Sequence, residues 1–154
     1  VVLMGKSAGG FASLALAAQR PVGLRGVINF AGGRGAQPQM RAQKTICNEA
    51  VFLKTITDFA STTNVPMLWI YAKNDSYFRP ALVEKMFKRY QRAGDEPELE
   101  LHFVTPANAA RDGGHGYFDK TSNIHFWLSD VQDFLKAQTP GAEQDTQGIK
   151  GDKS

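Results

Sequence analysis

The sequence predicts an α/β protein, a mostly parallel sheet with helices on both faces, and three observations carry that expectation. Short apolar runs rich in Val, Ile, Leu and aromatic residues alternate with longer stretches whose apolar residues recur at helical spacing. The segments between those runs are long enough to hold helices, as parallel crossovers require. The chain also opens on an apolar run that passes without a spacer through Gly5-Lys6-Ser7-Ala8-Gly9 into an Ala/Leu-rich stretch. That order reads as strand, sharp turn, helix. No internal repeat is present.

Each element follows from its residues. Val1 to Met4 reads as a buried strand, and Ala8 to Gln19, apolar nearly all round, as a helix lying beneath a sheet and ended by Arg20-Pro21. Gly26 to Phe30 is a second buried strand, followed by the glycine-rich, flexible loop Ala31 to Gly35 at its C-terminal end. Residues 36–47 carry no clear pattern. Asn48 is placed to cap a helix running to about Ala60, with Val51, Phe52, Ile56, Phe59 and Ala60 inward. Val65 to Ala72 is the third strand and leads into the polar loop Lys73-Asn74-Asp75-Ser76. Pro80 and Gly94 bracket a helix whose inward face is Leu82, Val83, Met86, Phe87 and Tyr90. Glu98 to Val104 alternates as a half-exposed edge strand does, and the loop Thr105 to Gly116 carries His115. A last helix, capped by Ser122, presents Ile124, Trp127, Val131, Phe134 and Leu135 on one face. The reading is one domain over residues 1–137 and a disordered tail over 138–154, which is polar, glycine-containing and without aromatics.

A serine in the G-x-S-x-G arrangement between strand and helix sits on a strained turn. Small neighbours at Gly5 and Gly9 let the two elements approach, and the hydroxyl is held out where a carbonyl can reach it. Ser7 therefore reads as a nucleophile. Asp75 and His115 follow in that chain order, each just past the C-terminal end of a predicted strand, and parallel strands bring such ends to one edge of a sheet. A serine hydroxyl needs a neighbouring base, and His115 among glycines is suited to that role; Asp75 would fix its tautomer. The backbone N–H of Ala8, at a helix N-terminus, would stabilise a developing oxyanion. Lys6, Arg34, Tyr77 and Phe78 are candidates for lining an acyl or leaving-group pocket. The plainer alternatives are a turn role for Asp75 and a surface-loop histidine at 115. Asp112 is a second candidate acid, too close to His115 in the same loop for the usual arrangement. His102 and His125 read as structural, and none of the three histidines has zinc-site spacing.

Taken together, Gly5-Lys6-Ser7-Ala8-Gly9-Gly10, Asn74-Asp75 and Gly114-His115-Gly116-Tyr117 resemble the α/β-hydrolase fold, and within it the dienelactone hydrolase-like esterases. The resemblance covers about residues 1–137. Members that give that group its name carry cysteine at the nucleophile position. With Ser7 there instead, the resemblance implies a serine esterase or related acyl hydrolase, with no cofactor and a small-molecule ester or acyl substrate.

The 154 residues, 42% hydrophobic and 10% aromatic, are ordinary globular composition. A net charge of +3 and a pI near 9.1 come from scattered Lys and Arg, which argues against nucleic acid as a partner. No apolar run approaches the roughly 20 residues that span a bilayer. Cys47 is the single cysteine and cannot form an internal disulfide, so the compartment stays open. Because the sequence begins inside a strand, it reads as the C-terminal part of a longer protein. The second oxyanion donor would then lie upstream, and the chain by itself would be a weak catalyst. Two rivals stand beside this reading. Met4-Gly5-Lys6-Ser7 matches the tail of a phosphate-binding P-loop, although the residues before Gly5 are strand-like rather than glycine-rich. The alternative is a non-catalytic fragment or binding module, whose unpaired first strand would favour oligomers or poor solubility.

Overall fold

The computed structural model describes residues 1–40, 45–94, 98–106 and 114–139. Four strands, β1 (Val2–Lys6), β2 (Gly26–Phe30), β3 (Met67–Ala72) and β4 (Leu99–Val104), pair in that order, all parallel. Helices α1 (Ala8–Ala17), α2 (Glu49–Ala60), α3 (Pro80–Ala93) and α4 (Leu128–Ala137) connect or follow them. Short 3₁₀ turns cover Pro38–Met40, Tyr117–Asp119 and Thr121–Phe126. Asp112, Gly113 and the tail from residue 140 onward lie outside the described residues.

Alternation along the strands splits the core into two layers. Val27, Met67, Trp69 and Tyr71 face Leu14 and Ala17 of α1, Phe52 and Ile56 of α2, and Leu82, Met86 and Tyr90 of α3. The opposite face, Ile28, Phe30, Leu68, Ile70 and Ala72, packs on Val131 and Phe134 of α4 and on Tyr117. Helices thus cover both faces. Because β2 and β3 are buried on both sides, their sequences are apolar on both faces apart from Asn29 in β2, close to the pattern expected of interior parallel strands. Glu49 at the start of α2 pairs with Arg79 and Lys85, tying α2 to α3. Burial would raise its carboxyl, but the two cations outweigh that and hold it below the ordinary range.

The boundaries follow the predicted ones closely, with physical reasons for the exceptions. β3 starts at Met67, since Pro66 has no N–H to give the ladder and contributes only its carbonyl, to Val27. The β1 strand is not buried: it is an edge among the described residues, with Met4 52% exposed. Likewise α1 buries only the stripe Gly10, Ser13, Leu14 and Ala17, while Ala8, Ala12 and Leu16 face outward. Asn48 caps α2 as expected, its side chain accepting from the Val51 amide, but the inward stripe is Phe52, Leu53, Ile56 and Ala60. Val51 lies outside that stripe and is exposed. Ser122 caps no α-helix. The last helix begins at Leu128, after Trp127, whose ring packs edge-on against Phe30 and whose φ of −140° interrupts the helical path. Gln138 caps α4, its amide donating to the Phe134 carbonyl, and Thr139 bonds back to the Lys136 and Leu135 carbonyls. Among the described residues no helix is long and apolar enough to cross a membrane.

Leu14 is fully buried where α1 meets the sheet. Leu14→Ala should lower unfolding free energy by about 2–5 kcal/mol through lost burial plus the cavity left behind, read as a lower denaturant midpoint at unchanged slope.

Candidate active site

The site is built at the rim where β1, β2 and β3 end. The backbone of Ser7 stands at φ 53°, ψ −121°, a region L-residues rarely enter, and costs on the order of 1–3 kcal/mol. Three backbone bonds hold it there. The Ser7 amide donates to the Phe30 carbonyl at 2.9 Å, extending the sheet ladder by one residue. The Ser7 carbonyl accepts from Phe11 at 3.0 Å, in the first turn of α1, and from Gly33 at 3.1 Å, in the loop after β2.

Close approach explains the first glycine of the motif. A Cβ on Gly5 would sit 2.3 Å from the Gly9 carbonyl oxygen, inside α1. The second glycine differs from expectation: a Cβ on Gly9 would meet nothing within 4 Å. What the helix–strand contact requires is a bare Gly5 against the backbone of residue 9.

Asp75 sits in the loop after β3 with its side chain completely buried. Its Oδ1 accepts from the backbone amides of Tyr77 at 2.7 Å and Phe78 at 2.9 Å, and its Oδ2 lies 2.9 Å from Nδ1 of His115. A buried carboxylate is tolerable only when so satisfied. Ionised Asp75 can only accept, so Nδ1 of His115 must carry the proton and Nε2 must present a lone pair. Nε2 is 3.0 Å from Oγ of Ser7. Hydroxyl, imidazole and carboxylate therefore form one hydrogen-bonded line across residues far apart in the chain.

Local packing keeps His115 in that line. The Gly114 amide donates to the Asn74 carbonyl at 2.8 Å, and a Cβ at Gly114 would fall 2.1 Å from Oδ1 of Asn74. The rings of Tyr77 and Phe78 flank the imidazole at 4.8 and 5.5 Å. Two residues later Tyr117 is buried, and that burial pushes its phenol well above the ordinary tyrosine value.

A pocket of about 460 Å³ opens on Ser7, lined by Lys6, Ala8, Arg34, Tyr77, Phe78 and His115 together with the loop Gly33–Ala36. All four sequence candidates for pocket lining are in it. Ala8, the first residue of α1, has no intrahelical acceptor for its amide and lies on the same wall. The loop after β2 is less free than its glycines suggest, for Ala31, Gly32 and Gly33 are all buried. Gly33 packs on the Phe78 ring, where a Cβ would come within 2.3 Å.

Sequence reasoning missed the polar support beneath this loop. Tyr71 donates to the Gly32 carbonyl at 2.6 Å and accepts from Asn29 at 3.2 Å, with both side chains fully buried. Burial raises the Tyr71 phenol far above its usual range, which keeps it a neutral donor. The readable signal was Asn29 itself, a polar residue inside the run Gly26-Val27-Ile28-Asn29-Phe30. Asp119 was missed too: it pairs with Lys6, linking the turn after His115 to the residue before Ser7. His102 lies away from the site and bridges Asp130 of α4 at 2.8 Å and Glu100 at 3.1 Å, in keeping with a structural role.

The chain is similar in structure to an esterase from Pyrococcus furiosus (TM-score 0.60, 13% identity, covering 88% of this chain and 52% of that one). The α/β-hydrolase fold is thereby shown. A Klebsiella pneumoniae protein assigned as a dienelactone hydrolase is also similar (TM-score 0.56, 17% identity, 89% of this chain, 50% of that one). So is an acylaminoacyl peptidase (TM-score 0.56, 13% identity, 88% of this chain, 23% of that one). No family model matches the chain, and no curated protein is similar to it in sequence. The chain spans about half the length of the first two structures and corresponds to the C-terminal portion of the hydrolase fold. The strained φ of Ser7 sits on the sharp turn between the end of β1 and the start of α1. The P-loop alternative has no cradle here, because the residues before Ser7 are β1 rather than a glycine-rich loop.

The two motif glycines should respond oppositely. Gly5→Ala should lower the melting temperature sharply and disorder the elbow. Gly9→Ala should be neutral or stabilise by roughly 0.5–1 kcal/mol, the usual gain of alanine over glycine in a helix. Thermal melts of the two variants check this.

Proposed function

We propose that this chain carries the reacting centre of a serine hydrolase that cleaves carboxylic esters or related acyl substrates through an acyl-enzyme. The observation that supports it most is the single line from the strained Ser7 through His115 to the buried Asp75. The names of the structural neighbours, esterases and an acylaminoacyl peptidase, point to the same acyl chemistry.

In this reading Ser7 Oγ attacks the substrate carbonyl carbon while its proton passes to Nε2 of His115. Asp75 stabilises the imidazolium from the Nδ1 side, at no cost in new burial since the carboxylate is already in place. The Ala8 amide donates to the tetrahedral oxyanion. Collapse breaks the bond to the leaving oxygen, which takes the proton from His115, and the acyl group remains on Ser7. Water then gives its proton to His115 and attacks the ester. The carboxylic acid departs as Ser7 recovers its proton. Arg34, Lys6, Tyr77 and Phe78 bind the substrate around this centre. With one oxyanion donor supplied by these residues, turnover should fall roughly 10² to 10³ below that of a site with two.

Hydrolysis of p-nitrophenyl acetate and labelling by a fluorophosphonate test the reading. Ser7→Ala should abolish labelling and reduce turnover by roughly 10⁴ to 10⁶, and Asp75→Asn should reduce turnover by about 10⁴ by disfavouring the required tautomer. A change under tenfold for Ser7→Ala would instead favour a non-catalytic binding module.

A further inference from the structure

The direction of the Ala8 amide is set by its own peptide unit. Among the described residues no peptide bond is cis, so the Ser7 carbonyl and the Ala8 N–H point opposite ways from one rigid plane. Whatever holds that carbonyl therefore aims that amide. The Ser7 carbonyl accepts from Phe11 at 3.0 Å, an ordinary helical bond, and from Gly33 at 3.1 Å, a bond that comes from outside the helix. The Gly33 N–H belongs to a second trans plane, and the other end of that plane is the Gly32 carbonyl. Tyr71 reaches this carbonyl at 2.6 Å. A carbonyl can only accept, so the Tyr71 hydroxyl hydrogen is committed to Gly32, and Nδ2 of Asn29, 3.2 Å away, must donate to the Tyr71 oxygen. The bonds thus run from Asn29 to Tyr71, through the Gly32–Gly33 plane, to the Ser7–Ala8 plane.

We propose that Tyr71 is a positioning residue for the reaction, aiming the Ala8 amide at the oxyanion through two successive peptide planes. The proposal rests on the serine-hydrolase reading above. Two unfavourable features lie along this path. Oδ1 of Asn29 is buried with no partner among the described residues, a destabilising arrangement for the one polar side chain of β2. Ala31, which opens the loop after β2, stands at φ 46°, a value that residues with a Cβ rarely adopt. Such features persist where the surroundings impose one geometry, and here that geometry is the one that brings Gly32 onto the Tyr71 hydroxyl. The hydroxyl acts on strength as well as direction. A bond accepted by a peptide carbonyl polarises the N–H of the same unit, so each link makes the next donor better. Tyr71 is fully buried and lines no part of the Ser7 pocket, so its effect reaches the oxyanion and not the binding of an intact substrate.

Two ketones that differ in whether they form an oxyanion test this, trifluoroacetophenone and acetophenone. With the first, Ser7 Oγ bonds to the carbonyl carbon, the C=O π pair moves onto oxygen and the serine proton passes to Nε2 of His115; the second occupies the pocket without adding. Both are measured as inhibitors of p-nitrophenyl acetate hydrolysis, with turnover counted per site labelled by a fluorophosphonate. Tyr71→Phe should weaken trifluoroacetophenone about tenfold and lower kcat/KM by the same factor, part of the loss that follows removal of an oxyanion donor outright, while acetophenone binds as before. Tyr71→Phe also strands the Asn29 amide in the core. Asn29→Leu combined with Tyr71→Phe removes that buried donor, so the double variant should melt higher than the single one and carries the same comparison if the single one does not fold. In it trifluoroacetophenone should stay weak. Trifluoroacetophenone affinity and kcat/KM within about twofold of wild type in a folded variant overturn the proposal and leave the serine reading intact. So does an equal weakening of both ketones, or a recovery of turnover in step with melting temperature, each of which marks plain structural support. A wild type that takes no fluorophosphonate label and binds the two ketones alike overturns the serine reading itself, and the positioning role with it.

Discussion

The β2 and β3 strands are each hydrogen-bonded on both sides to a parallel neighbour, and β1 and β4 continue the same direction. With one direction shared, every strand delivers its C-terminal residue to the same rim. Ser7 follows β1, the Gly32–Gly33 turn follows β2, and Asp75 follows β3; His115 arrives from the loop beyond β4. An antiparallel arrangement would send half of these to the far edge. Parallel pairing thus converts separations of dozens of residues into hydrogen-bond distances, at the expense of long crossovers that must be folded as helices.

Within that frame the elbow is a steric solution to a crowded junction. Strand and helix meet so closely at Gly5 and Gly9 that no side chain fits between them, and the chain can turn only through a conformation unfavourable to Ser7. Strain of this kind survives where surrounding bonds over-determine it, and here the Ser7 backbone is fixed from the sheet, the helix and the β2 loop together. The Asn29–Tyr71–Gly32 network extends the support one layer down. It fixes the loop whose Gly33 amide holds the Ser7 carbonyl.

Much of this was legible because several signals agreed at each place. β2 was bounded correctly since its apolar run is ended by glycines on one side and preceded by a glycine on the other. Pro80 and Gly94 marked α3 for equally local reasons. That Ser7, Asp75 and His115 meet was readable because a parallel sheet brings its strand ends to one rim. What escaped notice depended on contacts between distant segments. No local pattern tells that Met4 faces outward, that Val51 falls outside the α2 stripe, or that Lys6 has Asp119 as its partner. Nor does spacing tell that Gly9 is dispensable for packing while Gly5 is not, since the motif writes both as the same letter. The 3₁₀ path through Thr121–Phe126 was lost to a tertiary cause, the anchoring of Trp127 on Phe30.

The line joining residues 7, 115 and 75 has a further consequence for how the molecule matures. Its members lie on segments that meet only after three parallel pairings have closed, and non-local closures of this kind are the slow events in folding. A chain arrested with only its first strands and helix paired has the serine but no imidazole beside it. Under the proposed hydrolase chemistry, reactivity at that oxygen would be a late property of the pathway, and its appearance over time a clock for completion of the whole sheet.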